Sequence, residues 1–285
     1  MTFRFTSLLT VCLLTLLTVG CKDSDRVQNM KDNAAKGTGS MEEAADAAEV
    51  PFDETAGVMT SGSVTLRPMP PTKDFPDAKI NDWTYKNGKF NYVVSDYDFA
   101  AATPDADALM CANSGKGQHA HLIINNEPYL AKYEPTFTQE LPDGQHHILT
   151  FLSRSYHEAI KNGMAFRAVN ATVKNNSFTE VTDIEEPMLF YSRPKGTYVG
   201  KDTKNVMLDF YPVNADLSDT GYYVEASVNG GAGMKLTEWK PYFLNGLPMG
   251  ENTVKLTLME DGKPVDTPLN PVTRTFTLEA DPTGK

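Results

Sequence analysis

Residues Tyr133–Leu152 read YEPTFTQELPDGQHHILTFL, and residues Trp239–Leu258 read WKPYFLNGLPMGENTVKLTL. The two align without a gap: aromatic on aromatic, then Pro135 on Pro241, Phe137 on Phe243, Leu141-Pro142 on Leu247-Pro248 and Gly144 on Gly250. Working outward, Phe90–Phe99 aligns with Leu208–Leu217, and Ala165–Val173 echoes Val272–Leu278. Arg193-Pro194-Lys195-Gly196 echoes the proline-rich Pro70–Lys73. The chain reads as a tandem duplication with units of about 110 and 100 residues.

Between Ser61 and Ala280, short runs of Val, Ile, Tyr, Phe and Thr alternate with Gly, Pro, Asn and Asp, and no long stretch has a helical apolar period. Strand-length runs between turn signals point to an all-β sandwich. The Leu-Pro-x-Gly leader before an alternating strand resembles immunoglobulin-like sandwiches of bacterial envelope proteins, where it leads into a late core strand. The resemblance covers Ser61 to about Ala280 and implies a fold, not an activity. The expected fold class is all-β, with two tandem immunoglobulin-like antiparallel β-sandwiches over residues 61–178 and 179–285. They follow a signal peptide (1–20) and a lipidated cysteine with its flexible tether (21–60).

Met1–Gly20 carries one positive charge, Arg4, and a largely apolar run from Phe5 to Val19. The run is too short and too early for a membrane span and reads as a secretory signal peptide. Leu17-Thr18-Val19-Gly20 before Cys21 resembles the lipobox of bacterial lipoproteins, with Thr18 in place of the usual leucine. The resemblance implies acylation of Cys21, and an anchor of several acyl chains is stable where one chain is not. The alternative is an ordinary signal peptide with an incidental cysteine. Lys22-Asp23-Ser24-Asp25 is similar to the signal that exports some lipoproteins to the outer face of the outer membrane. From Lys22 to about Thr60 the chain is polar, apart from a short helical pattern at Met41–Val50. A tether of this length spans about 30–40 Å.

The net charge of -11 argues against sequence-independent nucleic-acid binding and against adsorption to anionic lipid through protein charge. Of the three cysteines, Cys12 lies in the signal peptide and Cys21 is the acylation site, which leaves Cys111 without an internal partner.

Strand alternation in the second copy sets which side chains face inward. Val254, Leu256 and Leu258, and likewise Val224, Ala226 and Val228, face the core. Transferred to the first copy, this puts Ala120, Leu122, Ile124, Ile148 and Leu152 inside, with Thr150 as an unusual polar member. His119, His121, Ile123, His147, Leu149 and Phe151 fall on the outer face. That face is more apolar than a solvated one, so a cover is expected: the other domain, the extra loop Ala100–Lys116, or a partner.

All five histidines lie in the first copy. His119-Ala120-His121 on a strand puts two imidazoles on one face about 7 Å apart, a spacing suited to Zn or Cu. If the strands starting near Gln118 and Gln145 are antiparallel neighbours, His157 comes nearer to His119 than His146 or His147 does. The candidate ligand set is therefore His119, His121 and His157, with Glu158 or Cys111 as a fourth. The alternatives are exposed strand histidines making local hydrogen bonds, or a pH-responsive interface. Arg154, between Ser153 and Ser155, is a candidate anion or phosphopeptide contact. No GxSxG elbow is present, and a Ser–His–acid triad from such close neighbours is disfavoured.

These readings combine into a non-enzymatic, lipid-anchored envelope protein, attached to the outer membrane. It contacts an envelope protein or extracellular ligand through the outer face of its first sandwich (Ile123, His147, Leu149, Phe151). The alternative readings are Zn or Cu binding through the His-Ala-His strand and anion binding at Arg154.

Overall fold

A computed structural model describes residues 55–283. The signal peptide, Cys21, the Lys22–Asp25 signal, most of the tether and the Met41–Val50 pattern lie outside the described residues.

Two short strands come first, β1 (Met59–Ser61) and β2 (Val64–Pro68). The first sandwich follows with β3 (Lys79–Lys86), β4 (Lys89–Ser95), β5 (His119–Ile124), β6 (Leu130–Lys132), β7 (Thr136–Thr138), β8 (Gly144–Ser153), β9 (Phe166–Lys174) and β10 (Ser177–Asp183). Its sheets have the orders β3-β4-β7 and β10-β9-β8-β5-β6. The second sandwich contains β11 (Met188–Arg193), β12 (Gly196–Val199), β13 (Val206–Val213), β14 (Tyr223–Val228), β15 (Met234–Leu236), β16 (Tyr242–Asn245), β17 (Gly250–Glu260), β18 (Lys263–Pro264) and β19 (Val272–Glu279). Its sheets run β1-β2-β16-β13-β11 and β12-β19-β17-β14-β15, with β18 beside β17. In both sandwiches the first, second and fifth repeat strands form one sheet, and the fourth, third, sixth and seventh form the other. This is an immunoglobulin-like strand order.

Alternation explains the two cores. Ala120, Leu122, Ile148 and Leu152 join Ile80, Phe90 and Tyr92 inside the first sandwich, and Ile124 packs against the same cluster. Thr150 does face inward, where its hydroxyl meets Tyr92 Oη at 2.9 Å and donates to the His121 carbonyl. Both hydroxyls thus have partners in a dry core. In the second sandwich Val224, Ala226, Val254, Leu256 and Leu258 pack with Leu66, Phe210 and Phe276.

The expected start of the first sandwich at Ser61 is not where the structure begins it. β2 pairs antiparallel with β16, Leu66 opposite Leu244, and so belongs to the second sandwich. Its Val64 and Leu66 point into the second core. The physical reason is that β16 would otherwise present an unpaired edge, and an alternating strand satisfies it wherever it lies in the chain. The first sandwich is therefore inserted between β2 and β11. It also runs past residue 178, because β10 pairs with β9 up to Asp183.

A third apolar cluster lies between the sandwiches. Ile123, Leu149 and Phe151 of the first meet Met188, Phe190, Tyr211 and Val213 of the second. An ion pair between Lys161 Nζ and Asp209 Oδ1, at 2.7 Å, crosses the same junction, and the Ala159 amide donates to Asp209 Oδ2. The loop carrying Cys111 closes one side, where Ala106, Leu109 and Cys111 pack with Met69, Tyr156, Met207 and Phe243.

Candidate metal centre

β5 and β8 pair antiparallel, His119 opposite Ser153 and His121 opposite Phe151. This register brings the turn after β8 back to the start of β5, and His157 sits on that turn. Its amide donates to the Arg154 carbonyl, and its φ of 76° is a left-handed conformation uncommon for a residue with a side chain. At the other end of the site, Gly117 has φ 82°, and a Cβ there would run into the Ala100 carbonyl. This glycine therefore allows the extra loop to approach the start of β5.

The structure brings His119, His121 and His157 together, with one ring nitrogen from each within 4.8 Å of the others. His119 Nε2 lies 3.0 Å from His121 Nε2 and 2.9 Å from His157 Nδ1. His119 and His121 are fully buried and His157 is 9% exposed. The remaining ring nitrogens show how the protons are placed. His119 Nδ1 is 2.9 Å from the Gly117 carbonyl, which can only accept, so Nδ1 carries the proton and the Nε2 lone pair faces the centre. His121 has Ser192 Oγ 3.3 Å from its Nδ1 and His119 Nε2 3.0 Å from its Nε2, so either ring nitrogen has a partner.

His157 is contacted at Nδ1 by both His119 and Tyr129. Tyr129 Oη is 3.3 Å from His157 Nδ1 and receives hydrogen bonds from Arg193 Nε and Nη2 at 3.2 and 3.0 Å. The tyrosine hydroxyl thus stands between Arg193 and His157. His157 Nδ1 is also 2.9 Å from His119 Nε2, an acceptor, and is in place to donate its proton there. Burial pushes the pKa of all three imidazoles down, helped by the nearby Arg193 and Lys195 charges, to about 4 for His119 and well below the ordinary value for His121 and His157. Burial thus disfavours the charged imidazolium at each ring. Neutral imidazoles are what a transition-metal site needs, and at His119 the second nitrogen is held by a backbone carbonyl.

Aromatic rings wall the cluster. Tyr129 stacks on His121 with ring centroids 3.6 Å apart and planes 4° apart. Tyr133 lies 4.7 Å from the His119 ring, and Phe151 lies 4.8 Å from that of His121.

Neither expected fourth ligand is at hand. Glu158 turns away, accepting from Thr72 Oγ1 at 3.0 Å and meeting Arg154 Nε at 3.5 Å. Cys111 is buried in the loop cluster, and desolvation pushes its thiol up to about 12. Arg154 is not set out for an anion: it is 4% exposed, donates through Nη2 to the Lys73 carbonyl, and lies over the Phe75 ring. Ile123, Leu149 and Phe151 are each 0% exposed beneath the second sandwich. The cover expected over that face is therefore intramolecular, and those residues offer no surface to a partner.

His147 stands apart from this cluster, Nδ1 against Asn170 Oδ1 at 2.6 Å. With His146, Glu180 and Thr182 it lines a polar groove of 310 Å³. His146 has a local role, contacting the Pro142 carbonyl through Nε2 at 2.8 Å and Asn125 Nδ2 through Nδ1 at 3.0 Å.

Tyr129, Ser192 and Arg193 were not singled out by sequence reasoning. The available signal was one arginine ending an otherwise mostly apolar strand, Met188–Arg193, where a buried guanidinium must find partners.

No protein-family profile matches the chain, and no curated protein matches it either. Among solved structures it is similar to fibronectin(III)-like modules of Clostridium thermocellum CbhA, at 13% identity and a TM-score of 0.26, over 33% of this chain and 99% of that one. It is also similar to domains 4 and 5 of the S-layer protein SbsC, at 12% identity and a TM-score of 0.19, over 78% of this chain and 99% of that one. The fold class rests on the strand order described above, and neither likeness bears on activity.

Proposed function

We propose that this chain is a non-enzymatic, lipid-anchored protein of the bacterial cell envelope that binds a transition-metal ion, Zn or Cu, through His119, His121 and His157. One observation carries the metal reading. Three imidazole nitrogens converge: His119 Nε2 lies 2.9 Å from His157 Nδ1 and 3.0 Å from His121 Nε2, and the His119 proton is committed to the Gly117 carbonyl. Around a tetrahedral ion with bonds near 2.0 Å, donor atoms stand about 3.3 Å apart. Binding an ion would open the two spacings from His119, and the three ligand atoms already lie within 4.8 Å of one another. The face once expected to meet a partner is buried, which moves the balance from partner contact to metal.

The envelope address rests on Met1–Cys21 and its resemblance to a lipobox, and the outer-membrane placement on Lys22–Asp25. Metal analysis of the purified chain, beside a His119→Ala/His121→Ala double variant, tests the metal reading. We expect one equivalent of Zn or Cu in the parent and none in the variant. An ion present at 100 times its Kd should stabilise the parent by about 2.7 kcal/mol. Absence of bound Zn and Cu at stoichiometric supply would end this reading. Radiolabelled palmitate retained by the parent and lost in Cys21→Ala checks the anchor.

A further inference from the structure

We propose that the second sandwich binds a small inorganic anion, of chloride size, where its core meets the turn between β5 and β6. The ligands are Arg193, Lys195, Arg274 and the hydroxyls of Tyr191 and Tyr198. The inference is independent of the metal reading above.

Position comes first. Arg274 holds a core-facing place on β19, in step with the buried Val272, Phe276 and Leu278. It stands opposite Val254 of β17. The aligned pair in the first sandwich is Ile148 and Val169, both in the core. The fold therefore needs no arginine at this place. Arg193 is likewise buried, at the end of β11, and Lys195 follows it closely.

Charge comes next. Among the described residues, none of these three cations forms an ion pair with a carboxylate. Their acceptors are neutral. Arg193 donates to Tyr129 Oη and Tyr198 Oη, Lys195 Nζ to the Tyr129 carbonyl at 2.7 Å, and Arg274 Nη2 to the Asn126 carbonyl. Glu127 acts on Arg274 only through space. The Arg193 and Arg274 charges add to burial in pushing the Lys195 ammonium down to about 8, so the three cations stand close enough to act on one another. Positive charge taken out of water without a counter-charge is costly.

Unused donors complete the site. Tyr191 is fully buried with its Oη unpartnered, and Arg274 Nε is buried and unpartnered as well. The Arg274 guanidinium lies over the Tyr191 ring, 5.4 Å from its centroid. Tyr198 Oη accepts from Arg193 Nη1 at 3.1 Å and from the Lys195 amide at 3.4 Å, which leaves its own proton to give. Leaving a buried donor unmatched adds its own cost. A water molecule would satisfy these donors but not the charge, whereas an anion does both. Tyr191, Tyr198 and Arg193 are all buried, which suits a single ion rather than an extended molecule.

The test follows thermal denaturation of the purified chain, kept metal-free with a chelator, as sodium chloride replaces sodium gluconate at constant ionic strength. The midpoint should rise by about 5 °C at a chloride concentration 100 times the Kd. Tyr191→Phe should lose that rise. In gluconate alone it should match or exceed the parent, because the change removes an unpartnered hydroxyl. Crystals of the parent soaked in sodium bromide should show an anomalous peak within hydrogen-bond distance of Tyr191 Oη. A parent midpoint indifferent to chloride, or no bromide peak at this place, overturns the proposal. So does a Tyr191→Phe variant that keeps the full rise, or one weakened equally in both salts, the mark of a bound water. The chloride series and the bromide soak use the parent, so the proposal stays open to refutation even if Tyr191→Phe folds poorly. None of these readouts involves a metal, so their failure leaves the three-histidine reading standing.

Discussion

The two sandwiches agree closely at one pair of aligned positions and diverge at another. His146 and Asn252 hold the same turn: His146 Nε2 and Asn252 Nδ2 each lie 2.8 Å from a proline carbonyl, Pro142 and Pro248. Asn125 and Asn229 complete the match, bonding respectively to the His146 and Asn252 side chains and accepting from the amides of His147 and Thr253. Leu149 and Lys255 also align, yet Leu149 is fully buried and Lys255 is exposed. The first pair serves a local turn, which each copy must make for itself. The second lies on the outer face of the sheet, where the residue is matched to whatever stands outside. Outside Leu149 stands the second sandwich, with Phe190 and Tyr211 in the shared cluster.

The largest expected effect comes from breaking this contrast directly. Leu149→Ala should cost about 2–5 kcal/mol by chemical denaturation, as a large-to-small change in a packed cluster. Its aligned counterpart Lys255→Ala should stay within about 0.5 kcal/mol. Equal costs would mean that the sandwiches do not share a core in solution.

Leu66→Ala should also cost about 2–5 kcal/mol, and the site of the damage is the sharper readout. Hydrogen exchange should rise in β16 and β13 of the second sandwich and stay level in β3 and β4. The opposite pattern would return residues 61–68 to the first sandwich.

The next effect separates the copies by pH. Histidines held neutral by burial have folded pKa values below their unfolded one, about 4 against the ordinary 6.5 for His119. Their contribution is complete above about 6.5 and is lost as pH falls, because the unfolded chain binds protons that the folded chain refuses. Denaturation midpoints should therefore drop between pH 6.5 and 4, and His121→Gln should flatten the decline. A decline of the same steepness in that variant would assign it to other groups.

The smallest expected effect concerns the groove beside His147. His147→Ala should change stability by less than about 0.5–1 kcal/mol and leave Zn(II) binding unaltered, since this half-buried ring bonds to Asn170 away from the three-histidine cluster. Loss of Zn(II) binding on that substitution would redraw the site.

Much of this was legible in the sequence. The internal repeat and period-two alternation determined the fold class, the inward set Ala120, Leu122, Ile148 and Leu152, and the inward Thr150. Antiparallel pairing of β5 with β8 was enough to set His157 beside His119 and leave His147 out. Those conclusions depend on the local chain and on one neighbouring strand, and side-chain period and strand direction encode both. The tertiary structure alone decided the rest. Pairing of β2 with β16 joins residues far apart in the chain, and nothing in Val64–Pro68 distinguishes one open sheet edge from another. The apolar outer face announced a cover but not which one. The three histidines meet a carbonyl at Gly117, a hydroxyl from the second sandwich at Ser192, and the Tyr129 hydroxyl that Arg193 holds. These partners meet only when the two sandwiches pack together, and burial at that junction is what keeps the imidazoles neutral.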